Sequence, residues 1–270
     1  MVSVVIPYID PDFTINHLKE AVVLGYFYPI LTGVLTVTVE TPTEKVEINA
    51  ESIVDVALGL EGNLGKELLP VIDLAEWAAF RPSQDFIKLK PCNLECPEWS
   101  DDLIPTEQLK PMLEKLKRGE RLAVRASLNV REKGKPSRAS HFDVFLRQDG
   151  FDSGRPVFIR EGIIISDVRG TRARGIRSLV VIDNKPIASL LGDSENPAHT
   201  QWQKDSSNFR GKYYYGPDYI DFVTKIVARL VQALSAQEQE EDWDSCFHLA
   251  RLSSHLQRNY YTCSARGQTR

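Results

Sequence analysis

Between positions 169 and 177 the chain places Arg169, Arg172, Arg174 and Arg177, inside the stretch "VRGTRARGIR". A guanidinium is permanently charged, planar and forked, and its donors match a carboxylate or a phosphate, so this cluster suits recognition of an anion. Gly170 and Gly175 allow the backbone to turn sharply there. Lys212, followed by Tyr213, Tyr214 and Tyr215 in "FRGKYYYG", adds a cation beside rings of the kind on which bases stack. The candidate contact residues are therefore Arg169, Arg172, Arg174, Arg177 and Lys212. Like charges this close repel, and Asp167 and Asp183 offset only part of that repulsion, so the loop reads as a contact surface and not as a stability element.

Other chemistries are weaker. "LGLEGNLGKELL" resembles a phosphate loop only in its Gly-Lys pair: Leu60 stands where the first glycine is required, and Glu67 replaces the magnesium-binding hydroxyl. Cys92 and Cys96, with Cys246, His248 and His255 far downstream, lack the paired tight spacing of a structural zinc site. His141, Asp143, Asp193, Glu195 and His199 show no nucleophile elbow, no HExxH pair and no other tight spacing. A metal-dependent hydrolase is thus the remote alternative, and the expectation is no catalytic residue, no metal and no cofactor.

The elements that must position these residues follow from pattern. "RPVFIREGIIISDV" and "SLVVIDNKPIASLLG" are rich in Val and Ile and read as strands flanking the arginine loop. "PTEQLKPMLEKLKRGERLAVRASLNVREKGKPSRASHFDVFLRQDG" reads as a helix N-capped by Thr106, then two strands around an "EKGKPSR" loop. "YIDFVTKIVARLVQALSAQ" carries Ile220, Val223, Ile226, Val227, Leu230, Val231 and Leu234 on one helical face. Upstream, "MVSVVIPYI" reads as a strand and Asp12 to Gly25 as a short amphipathic helix. "YFYP" reads as an aromatic turn leading to a hairpin, and Ser52 to Gly59 and Lys66 to Phe80 as helices.

These patterns predict an α+β chain with mixed sheets and helices in two subdomains. Residues 1–80 hold the opening strand and the helix and hairpin elements; 81–105 form an irregular connector with prolines and Trp99; 106–243 form an α/β domain; 244–270 form a basic, poorly ordered tail. With 270 residues, 42% hydrophobic and 26% charged, the chain can bury a substantial core. No apolar run approaches the roughly 20 residues of a membrane span. The N-terminus has no secretory pattern, so the cytoplasm is the expected location, and four cysteines fit reduced thiols. A net charge of -4 means that any nucleic-acid binding must come from a local patch.

Read in order, "VVIPYI", "LKEAVVLGYFYPILTGVLTVTV", "FIREGIIISDVRG", "LVVIDNKPIASLLGDSENPAHTQWQ" and the final helix resemble the segment that follows the nucleotide-binding fold in a bacterial branch of GHKL ATPases, relatives of gyrase B and MutL. The resemblance covers residues 1 to about 243 and makes "MVSVVIP" the closing strand of the ATPase fold. It implies a transducer-like second domain within an ATP-binding parent protein, coupling nucleotide state to an ATPase domain or partner protein. The family's Asn-bearing helix and Asp-Gly segment do not occur in this sequence, so no catalytic residue carries over. The alternative is a nucleic-acid-binding module that uses the Arg169–Arg177 loop.

Overall fold

The computed structural model describes residues 4–5, 10, 12–61, 64–81, 85–92, 96–150, 154–168 and 170–237. The fold is α+β. Helix α1 spans Ile15–Leu31, hairpin strands β1 and β2 span Val37–Glu40 and Lys45–Ile48, and helices α2 and α3 span Ile53–Leu58 and Leu64–Ala79. After β3 (Ile87–Lys88) come α4 (Thr106–Lys117), β4 (Leu122–Val130), β5 (Arg138–Gln148), β6 (Val157–Arg160), β7 (Ile163–Ile164), β8 (Ile176–Ile182) and α5 (Lys185–Asp193). A last helix, α6, occupies 216–237.

Six strands form one mixed sheet in the order β3-β4-β5-β8-β6-β7. β8 enters between β5 and β6, antiparallel to the former and parallel to the latter. Alternation along each strand divides the side chains between two cores. On one face Leu122, Val124, Phe142, Val144, Phe158, Val180 and Ile182 meet α4, α5 and α6. On the other, Ala123, Phe145, Ile159, Leu179 and Val181 meet α1, α2, α3 and the β1–β2 hairpin. The result is three layers, with the sheet buried on both sides. β8 is buried along its whole length, which its "IRSLVVI" composition permits for every residue except Arg177 and Ser178. Among the described residues no helix is long and apolar enough to cross a membrane.

Several elements differ from the sequence reading. α1 runs on through "YFYPIL", past Pro29, because Tyr26 leaves helical geometry (φ -137°, ψ 15°) and so relieves the clash that proline's ring makes one turn back. "DNKPIASLLG" is a helix and not a strand extension: Pro186 sits in the first turn, where its missing N–H costs nothing, and the Ser140 hydroxyl accepts from the Ile187 N–H at 3.1 Å. Pro105, not Thr106, is the N-cap of α4, with Thr106 as the first helical residue. The connector contributes β3, an edge strand parallel to β4, and a 3-10 turn at Asp101–Leu103. Of "MVSVVIPYI" only Val4 and Val5 are described, both exposed and outside any strand. The rest of that stretch and the tail 244–270 lie outside the described residues.

Candidate functional site

The arginine loop leaves the sheet after β7 and returns at β8. Its path is fixed by two close approaches. Gly154 has φ +48°, and a Cβ there would lie 2.3 Å from the Ala173 carbonyl oxygen, so only glycine lets the two backbones meet; its own carbonyl accepts from the Ala173 N–H at 2.8 Å. Gly170 lies against the Phe158 ring and the Thr224 carbonyl, with no room for a side chain. Further out, the Asp167 N–H donates to the Thr200 carbonyl at 2.7 Å.

The five sequence-predicted contact residues separate. Arg172 and Arg174 are exposed on the loop and, among the described residues, make no ion pair. Arg169 lies outside the described residues. Arg177 belongs to β8 and is buried: its Nε donates to Asp149 and its guanidinium also reaches the Glu67 carbonyl of α3 at 3.2 Å. This corrects the reading of all four arginines as a contact surface, because β8 carries Arg177 inward where the loop has already ended. Lys212 donates to Asp193 at 2.5 Å, and that carboxylate also accepts from the Tyr213 hydroxyl. Lys212 lies at the other end of the sheet. Its segment pairs with the β4–β5 turn, the Lys133 N–H donating to the Lys212 carbonyl at 2.9 Å, whereas the arginine loop adjoins the Gln148–Ile176 end. Eight residues of β4 separate the two levels, about 27 Å at the usual rise of a strand.

α3 is fastened to the sheet below the loop. Asp73 accepts from Arg121 at 2.6 and 2.7 Å and from Arg147 at 2.8 Å, nearly two helical turns beyond the Glu67 carbonyl held by Arg177. Three arginines of the sheet layer therefore grip one helix of the N-terminal layer.

The polar residues weighed for hydrolysis fall into three separate clusters. Asp143 is paired with Arg125 through two hydrogen bonds, at 2.7 and 2.8 Å, and the Arg125 guanidinium stacks on Phe86. Asp193 is taken by Lys212 and Tyr213. Glu195, with a side chain 1% exposed, forms a two-pronged pair with Arg160, accepts from the Trp202 indole at 3.4 Å, and meets His199 Nδ1 at 2.7 Å. Glu161, itself paired with Lys185, takes the remaining Arg160 nitrogen at 2.7 Å. Both oxygens of Glu195 are occupied, so this is a buried anchor joining β6 to the segment after α5. The sequence offered Glu195 and His199 only within a loose set of polar residues and carried no signal for Arg160, whose partner is 35 residues away. Among the described residues no three His, Cys, Asp or Glu side chains converge as metal ligands. Burial pushes the Cys92 thiol up to about 11, away from a reactive thiolate.

His141 gives a pH-dependence. Burial, reinforced by Arg125 and opposed by Asp143, holds its imidazole below the ordinary value of 6.5. Between the folded and unfolded values the unfolded chain binds more protons, so this contribution to stability is complete above 6.5 and declines as pH falls through that value. Urea denaturation at about pH 7.5 and about pH 5 is expected to show a smaller acid loss in His141→Gln than in the wild type. Equal losses in the two proteins would show that His141 does not drive the effect. No family model, curated protein or solved structure matches this chain.

Proposed function

We propose that the chain is a non-catalytic docking and coupling module, similar in kind to the transducer part of a GHKL-type ATPase, which meets an acidic face of an ATPase domain or partner protein through Arg172 and Arg174. The observation that carries this reading is the way the loop is rooted. Its exposed arginines stand three and five residues before Arg177, which ties β8 to Asp149 and to the first turn of α3. A partner that pulls on the loop acts on the strand end to which α3 is fastened, and α3 is bound again through Asp73. Candidate acid and base residues are committed to structural pairs, which favours docking over catalysis. A cytoplasmic setting fits the free thiols of Cys92 and Cys96.

The test uses poly-L-glutamate as a mimic of an acidic protein face and hydrogen exchange of the α3 amides as the readout of coupling. Wild-type protein is expected to bind and to gain protection in α3. Arg172→Ala/Arg174→Ala is expected to lose both, by about 1–3 kcal/mol of binding for each charge-assisted contact. Its stability is expected to fall by about 1 kcal/mol or less, the scale of exposed charges. Binding unaffected by the double substitution, or binding with no change in α3, would overturn the reading.

A further inference from the structure

The opposite end of the sheet carries a second charged surface. The β4–β5 turn and the segment 209–215 are zipped by main-chain hydrogen bonds: the Lys133 N–H donates to the Lys212 carbonyl, the Tyr214 N–H donates to the Arg131 carbonyl at 3.0 Å, and Glu132 bridges Tyr213. This places Tyr214 on the outside, 44% exposed, with the Arg131 guanidinium 5.0 Å and the Lys133 ammonium 5.8 Å from its ring centre. An open groove of ≈ 840 Å³ runs beside it, lined by Asn129, Arg131, Lys135, Ser137 and Tyr214. Arg210 and Tyr215 are exposed on the adjoining segment.

The local charge is positive although the chain is acidic overall. Lys135 and Arg138 share Glu132, and Lys212 is paired with Asp193. Arg131, Lys133 and Arg210 make no ion pair among the described residues. The hydrogen bond from Lys135, with the nearby charges of Lys212 and Arg138, holds the Glu132 carboxyl below its ordinary value, as a positive field requires.

We propose that this surface binds single-stranded nucleic acid, with a base stacked on Tyr214 and the phosphates beside it held by Arg131 and Lys133. An exposed ring bordered by cations satisfies both halves of such a ligand: the ring takes the flat face of any base, and the cations take the backbone. A duplex keeps its bases stacked inside, and an acidic protein uses the cations but has no need of the ring. This surface is distinct from the arginine loop, so it stands or falls independently of the docking function.

The test is fluorescence anisotropy of a labelled oligothymidylate of about 20 nucleotides, across a salt series, with the full chain. Tyr214→Ala is expected to weaken binding by about 5- to 150-fold, the value of one base–aromatic stack, while Tyr214→Phe stays within about twofold of wild type. Lys133→Ala is expected to reduce the slope of log affinity against log salt by about 0.7. Arg172→Ala/Arg174→Ala should leave the oligonucleotide affinity unchanged, and Tyr214→Ala should leave poly-L-glutamate binding unchanged. Failure to bind at low salt, tighter binding of the matching duplex, or equal affinities of Tyr214→Ala and wild type would overturn the proposal. Lys133→Ala keeps the Tyr214 ring and the main-chain hydrogen bonds of the turn, so an unchanged salt slope in that variant would overturn the proposal even where Tyr214→Ala melts early.

Discussion

Glu195→Ala is expected to lower the unfolding free energy by about 3–5 kcal/mol, the largest effect of any single charged substitution in this protein. The reason is what the substitution leaves behind. Arg160 is almost fully buried and keeps only Glu161 once its two-pronged partner is gone, so a cation remains in a site that excludes water. His199 and the Trp202 indole lose an acceptor in the same step. Gly192 packs flat against the guanidinium, where a Cβ would lie 3.3 Å from Arg160 Nη1, so the backbone has little freedom to open a path for solvent. Glu195→Gln keeps an acceptor and is expected to lose less. Removing both charges in Arg160→Met/Glu195→Met is expected to cost less than the sum of the two single losses, because an absent pair leaves no uncompensated charge. Urea denaturation of wild type, these variants and the two single Met variants decides it: a loss under about 1 kcal/mol for Glu195→Ala would show that the network is solvated and contributes little.

The second large effect divides the arginine cluster. Arg177→Ala is expected to cost about 3 kcal/mol and to lower the melting temperature by about 6–12 °C. Arg172→Ala/Arg174→Ala, with one more charge removed, should cost no more than about 1 kcal/mol. The difference lies in solvent: the Arg177 and Asp149 side chains are 8% and 14% exposed, whereas Arg172 and Arg174 stand in water. Truncating Arg177 removes a guanidinium from Asp149 in a poorly solvated position and releases the Glu67 carbonyl of α3. Arg177→Lys should recover only part of the loss, because a single ammonium cannot serve both acceptors in the fork geometry of a guanidinium. Hydrogen exchange should report the loss first in α3. Equal melting temperatures for Arg177→Ala and the double variant would mean that the root of the loop is as loosely held as its tip.

Patterns a few residues long already specify the α+β class, the buried strands and every helix of the described residues except α5, although α1 runs further than its pattern indicates. Alternation in "LAVRASLNV" and "RASHFDVFLRQ" specifies strands with one face inward, and the apolar stripe of "YIDFVTKIVARLVQAL" specifies a helix. The sequence also determined that an arginine-rich turn lies between apolar segments. The tertiary structure alone decided what those arginines do. β8 enters the sheet between β5 and β6, and that placement sends Arg177 inward to Asp149, 28 residues away, and to Glu67, 110 residues away. The same sheet sets Lys212 and Tyr214 at the opposite end from Arg172 and Arg174, although residue type alone groups these cations into one contact set. α5 shows the limit on a smaller scale: "IASLLG" following "LVVIDN" is apolar enough for either state, and Ser140 of a neighbouring strand caps the helix. Local pattern encodes burial and period, whereas the partner of a charge depends on which distant strand lies alongside it, and that is decided only when the layers pack.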